Sequence, residues 1–271
     1  MNNPIKHHYV PQCYLKKFSL DEKKDSVRCF DKSSNTCAFK NINEICQIKN
    51  FYKLSQSDPY FIETTFFAND NEDKLSRILC HFENIDYCLG RISYDYAHRC
   101  NLSKQIVLQY MRTPLYRDTK ANNELNAYYE LIEYLFERVC NYEVKVEFKA
   151  NNKAEYHKTL LLENIDNMIS NIAGADWELL YTFSGEFYTS DNPVTIIARK
   201  DMPVTYCDAI KFFSEIYYPL NSKLTLHIMA RKPVSSKKIN IRMCEDTELS
   251  IINKLIIDNA VQYVFFAYQF N

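Results

Sequence analysis

The sequence predicts an α+β protein, with an N-terminal motif and small hairpin, a helical middle, and an antiparallel β block closed by a C-terminal helix. Three observations lead to that class. β-prone and helical stretches are segregated along the chain, where βαβ units would alternate them. Apolar residues between about 62 and 173 return at three- and four-residue intervals. From Trp177 the pattern changes to short apolar and aromatic runs separated by polar turns. With 271 residues and 46 % apolar content the chain can fill one continuous core. Residues 1–271 are therefore read as a single α+β domain, with a helical region at about 62–173 and a β-rich region at about 177–231.

The elements follow in order. His7-His8-Tyr9-Val10-Pro11-Gln12 opens the chain as an extended segment, anchored by Tyr14, Leu15 and Phe18. Val27 to Phe30 and Cys37 to Phe39 flank a polar turn and predict a hairpin. Ile62 to Tyr87 is helical, through Phe66, Leu75, Ile78, Leu79, Phe82 and Ile85, with an interruption at Asn69-Asp70-Asn71. Ser103 opens the longest helical pattern, which Pro114 stops or kinks before it restarts toward Cys140. Another helix runs from about Ala154 to Ala173, with Gly174 as its C-cap. Strands are expected at Trp177 to Phe183, Phe187 to Thr189, Val194 to Ala198, Tyr217 to Leu220 and Leu224 to Ala230. The last helix is read from Glu248 to about Tyr268, including Val261 and Phe265.

Composition excludes several classes of function. Lys and Arg total 33 against 34 Asp and Glu, so no global field draws in nucleic acid or membrane, and phosphate binding would need a local patch. Only 3 glycines leave no room for the Gly-rich phosphate cradles of Rossmann or P-loop proteins, and no nucleotide cofactor is expected. The 10 cysteines are scattered without a Cys-x-x-Cys pair. Together with a polar N-terminus that reads as no signal peptide, this predicts a reduced cytoplasmic protein whose cysteines fill core space. A zinc site drawn from distant Cys and His would lack the usual local spacing. No apolar run reaches the roughly 20 residues of a membrane span.

Three groups of residues could carry chemistry. His7 and His8 supply two imidazoles suited to general-base or metal-ligand work. Neighbours on an extended segment point opposite ways, so the two should not share one task. Gln109 and Arg112 lie three residues apart on one helix face, and the planar guanidinium suits phosphate or carboxylate. Ser190, Asp191 and Asn192 end a strand before Pro193, where side-chain bonds to the backbone explain a turn and a carboxylate could also face a cleft. Glu63 and Glu72 could join the histidines as ligands of a divalent metal, although acidic residues on such a helix usually form its solvated face. His81, His98, His157 and His227 are read as structural or exposed. A Ser-His-Asp triad lacks the glycines of a nucleophile elbow around Ser190.

HHYVPQ-x-YL-x-x-F, Q-x-x-R-T-P, TSDNPV, YYPLNSKLTL and the terminal N-x-x-x-x-x-N-A together resemble domain-of-unknown-function family 4238 over essentially the whole chain. The resemblance implies a bacterial or phage-associated cytosolic protein without an established activity. His7, His8, Pro11, Gln12, Arg112, Ser190, Asp191, Asn192 and Pro193 match its motifs, while Cys13 replaces the usual aromatic residue.

Two functions fit these residues. One is a phosphodiester-cleaving hydrolase, a nuclease in antiviral defence or toxin activity. It would use His7, His8 and Asp191 as catalytic groups and Gln12, Gln109, Arg112, Ser190 and Asn192 on the substrate. The alternative is a non-enzymatic sensor or partner-binding module whose His, Arg and Asp residues form a structural network.

Overall fold

The computed structural model describes residues 5–21, 23–55, 58–140, 151–162, 165–200, 205–230 and 238–270, without the side chains of 121–130, 139–140 and 151–152. Its architecture is α+β. Strand β1 (Lys6–His8) leads past Pro11 into the single-turn helix α1 (Gln12–Leu15). The expected hairpin is β2 (Ser26–Asp31) and β3 (Thr36–Asn41), paired antiparallel with Cys29 opposite Ala38. Strand β4 (Gln47–Lys49), not anticipated from its sequence, returns to pair with β1 as a two-stranded ribbon.

Residues Ile62–Glu72 form a π-helix that runs directly into helix α2 (Asp73–Glu83). The interruption expected at Asn69-Asp70-Asn71 is thus the last turn of the π segment, where the Asn71 side-chain amide donates to the Phe66 carbonyl. Strand β5 (Arg91–Ser93) precedes helix α3 (Tyr96–Met111), which starts well before Ser103. Asp95 sets that start by accepting the His98 backbone N–H at 2.9 Å, an N-cap that the apolar periodicity did not reveal. Helix α4 (Pro114–Cys140) begins at the proline itself. The helix expected from Ala154 onward is two, α5 (Asn151–Leu162) and α6 (Asp166–Gly174), with residues 163–164 outside the described set. Its cap is Ala175, one residue beyond Gly174.

The β block comprises β6 (Asp176–Tyr181), β7 (Thr189–Ser190), β8 (Thr195–Ala198), β9 (Phe213–Asn221), β10 (Leu224–Met229) and β11 (Lys238–Met243). Helix α7 (Asp246–Asn259) and strand β12 (Tyr263–Phe266) follow. The expected closing helix therefore stops at Asn259. Val261 lies beyond it, and Phe265 lies in β12, because this β-branched and aromatic run pairs with β2 on one side and β7 on the other. One sheet has the order β5-β11-β6-β10-β9-β8, the other β3-β2-β12-β7. The six-stranded sheet is antiparallel except for the parallel pair β11 and β6.

Period-2 alternation divides the core. Trp177, Leu179, Leu226, Ile228 and Tyr218 face a large cluster with Leu79 and Phe82 of α2 and Leu102 and Ile106 of α3. Leu180 and Tyr217, the neighbours of opposite parity, join Leu249, Ile252 and Ile256 of α7 in a second cluster. Phe265 belongs to the first cluster, Val264 and Phe266 to the second. Among the described residues, no helix is long and apolar enough to cross a membrane.

Candidate functional site

The sequence Gln109-x-x-Arg112-Thr113-Pro114 makes a break in which each freed carbonyl finds a new donor. Pro114 has no N–H for the Tyr110 carbonyl, and the Thr113 hydroxyl donates there instead, at 3.0 Å. The same Thr113 oxygen accepts the Tyr116 backbone N–H at 3.3 Å and so caps α4. His157 Nε2–H donates to the Met111 carbonyl at 2.8 Å, and burial lowers that imidazole to about 3. The Tyr52 hydroxyl donates to the Arg112 carbonyl at 2.7 Å. The last two bonds use side chains from distant segments, so the break is also where the helices are tied to α5 and to the Phe51-Tyr52 loop.

The ribbon separates the two histidines as their alternation requires. His7 is fully buried, stacks on Tyr52 at 5.8 Å between ring centroids, and accepts the Tyr52 backbone N–H on Nδ1 at 2.8 Å. His8 faces the other way, half-buried, with its Nε2 3.4 Å from Gln12 Nε2. Burial and the neighbouring Arg112 charge hold its pKa below the ordinary histidine value, so its imidazole is neutral near pH 7.

Arg112 is the buried centre of this region. Its Nη2 donates to the His8 carbonyl at 2.6 Å and to Glu72 Oε1 at 2.9 Å, and its guanidinium lies 4.0 Å from the Phe67 ring centroid. Burial opposes the charge, but Glu72, Tyr52 and Glu63 together raise its pKa. Gln109 Nε2 donates to the Tyr9 carbonyl at 3.1 Å. The π-helix explains why both carboxylates serve one arginine. Nine residues are about two and a half α-helical turns, which would put Glu63 and Glu72 on opposite sides. The longer i→i+5 turn instead brings Glu63, Phe67 and Glu72 to the face that meets Arg112. Neither glutamate is the solvated group expected from α-helical spacing: both are half-buried, and burial pushes Glu63 up to about 7.

The motifs also meet at Tyr14, whose ring stacks on Tyr218 at 5.3 Å. Its hydroxyl donates to the Pro219 carbonyl at 2.8 Å and lies 2.8 Å from Thr189 Oγ1. Beyond Thr189, two carboxylates bracket β12. Asp191 accepts the backbone N–H groups of Val261, Gln262 and Tyr263 at 2.9, 2.8 and 3.1 Å. Burial raises its pKa, and the three N–H bonds pull the other way. Glu186 accepts from Ala267, Tyr268 and Gln269 at 2.6, 2.9 and 2.7 Å. The Ser190 hydroxyl oxygen accepts the Asn192 N–H at 3.1 Å. Asn192 donates to the Asn259 carbonyl, and Asn259 Nδ2 donates back to the Asn192 carbonyl at 2.9 Å. Asn253, the other asparagine of the terminal motif, accepts the Tyr188 N–H and donates to the Glu186 carbonyl.

Of the expected site residues, His8, Gln12 and Arg112 come together with Glu63 and Glu72, and Gln109 fastens the same segment. His7 lies on the opposite side of the ribbon. Asp191 and Asn192 hold residues 259–263, Asn192 Oδ1 also accepts the Tyr206 hydroxyl at 2.9 Å, and the Ser190 hydroxyl stays within its own turn on the Asn192 N–H. Among the described residues, no three His, Cys, Asp or Glu side chains are placed to share a metal ion. Glu186 was absent from the expected set because it lies between the strands expected at Trp177 to Phe183 and Phe187 to Thr189, outside every motif singled out.

The family described as "Protein of unknown function (DUF4238)" matches residues 6–269, and the chain belongs to it. Neither a curated protein nor a solved structure matches.

Proposed function

We propose that this member of the family is a non-enzymatic binding module whose signature residues form a structural network. One observation supports this reading above the others. His7, Gln109, Arg112, Asp191 and Asn192 each make at least one side-chain hydrogen bond to a main-chain group of another segment. Arg112 is 3 % exposed and Asp191 4 %, so neither presents its charge to a substrate. The motifs act together by fastening four pieces of chain to one another: the ribbon, the helix break, the strand before Pro193, and the start of β12.

A hydrolase reading rests on a different observation. His8 is neutral and half-buried, and Glu63, whose Oε1 accepts the His8 backbone N–H at 3.4 Å, keeps its proton up to about pH 7. A neutral imidazole and a protonated carboxyl in one region are residue types that phosphodiester cleavage uses. The discriminating experiment incubates the purified protein with labelled RNA and DNA, with and without magnesium, beside thermal melts of His8→Ala and Asp191→Ala. The module reading expects intact nucleic acid, a near-normal melt for His8→Ala and a lowered melt for Asp191→Ala. Cleavage that disappears in a normally melting His8→Ala protein refutes it in favour of the hydrolase.

A further inference from the structure

The loop that His7 and Arg112 hold in place forms one side of a cavity of about 550 Å³, lined among others by Lys49, Asn50, Lys53, Ser55, Arg117 and Lys153. Four of these residues are cationic. Arg117 lies over the Phe51 ring at 3.6 Å and donates from Nη1 to the Phe51 carbonyl at 3.0 Å, which fixes the guanidinium in the wall. Asp118 lies near two of the cations, 3.0 Å from Arg117 and 3.8 Å from Lys153. Glu155 spends one oxygen on the Ser55 N–H and hydroxyl. Lys49 and Lys53 have no carboxylate within ion-pair distance among the described residues. Set against these two acids, the cavity keeps an excess of positive charge in a chain whose net charge is −1.

A second, independent observation points to an anion. Lys6 and Lys49 are direct cross-strand partners in the β1–β4 ribbon. Like charges directly opposite each other in an antiparallel pair are destabilising. The ribbon holds this pair in register through its own ladder and through the Asn50 N–H, which donates to the Ile5 carbonyl at 2.8 Å. An anion beside Lys49 would relieve the repulsion that the fold otherwise carries.

We infer that this cavity binds the phosphate groups of a nucleic-acid strand or a free nucleotide. The inference rests on the module reading, since it makes this cavity the surface that the signature network positions. Lysine and arginine supply point charges and a planar fork for phosphate oxygens. The cavity has room for several such contacts, and none of its lining residues offers an exposed aromatic face, so recognition is through phosphate and independent of base.

The test titrates the full chain into a fluorescein-labelled single-stranded RNA, and in parallel into a labelled mononucleotide, at several salt concentrations. The Lys49→Glu/Lys53→Glu double variant should weaken binding roughly tenfold or more. It should also lower the dependence of log Kobs on log salt by about 1.4, at about 0.7 per lost single-strand phosphate contact. The variant should melt at or above the wild-type temperature, because Lys6 then faces a carboxylate. RNA binding lost in the variant supports the inference with nucleic acid as the source. Mononucleotide binding lost in the variant, with RNA not bound, supports it with free nucleotide as the source. No binding of either, or binding that the double variant leaves unchanged, overturns it. That failure would leave the melts of Asp191→Ala and the absence of cleavage untouched, so the module reading is judged separately.

Discussion

Glu63→Gln tests the electrostatics of the Arg112 region most directly. In the folded protein, burial holds the Glu63 carboxyl at about 7, against an ordinary value of 4.5. That interval, at about 1.4 kcal/mol per pH unit, corresponds to about 3.5 kcal/mol, and solvent screening of this half-buried group reduces it to about 2 kcal/mol. The sign follows from the direction. A folded pKa above the unfolded one means that the folded state binds more protons between the two values. The stabilising contribution is complete below pH 4.5 and is lost as pH rises through 7. Wild-type protein should therefore lose about 2 kcal/mol from this residue across that window, and Glu63→Gln should not. Both proteins keep His8, whose pKa burial holds below the ordinary histidine value, so the informative quantity is the difference between the two proteins. Urea denaturation from about pH 4.5 to pH 8 measures it for both. A difference that stays constant with pH would mean that Glu63 ionises like a surface carboxylate, and the account of the π-helix face would fail.

Two further substitutions probe the network. Asp191→Ala leaves three backbone N–H groups at the entry to β12 without their acceptor, and should cost roughly 3 to 5 kcal/mol in urea denaturation. Asp191→Asn, which keeps one acceptor oxygen, should cost less, and equal losses would refute the three-bond account. Thr113→Val removes the hydroxyl that serves both Tyr110 and Tyr116 and should lower stability by roughly 1 to 2 kcal/mol, read as a drop in melting temperature.

The sequence and the folded chain agree where local chemistry decides. The β2–β3 hairpin was legible because a polar turn separates two alternating runs, and the stop before Pro114 because proline has no N–H to give. The opposite directions of His7 and His8 followed from strand alternation alone. The α3 start was missed because a single Asp95 side chain sets it, outside the apolar repeat. The partners of Arg112 were missed because α-helical periodicity was applied to Ile62–Glu72, and nothing in the residue types marks a π-helix.

The sequence alone thus determined the α+β class, the hairpin and the helix break, since covalent geometry and short-range periodicity fix those. Only the tertiary structure decided which groups the motif residues bind. Residues 261–266 could continue α7 or form a strand, and Asp191, about 70 positions earlier, resolves the choice by binding the N–H groups of residues 261–263 as β12 pairs with β2 and β7. A carboxylate takes whichever donors packing brings within hydrogen-bond distance, and that depends on contacts between segments far apart in the chain.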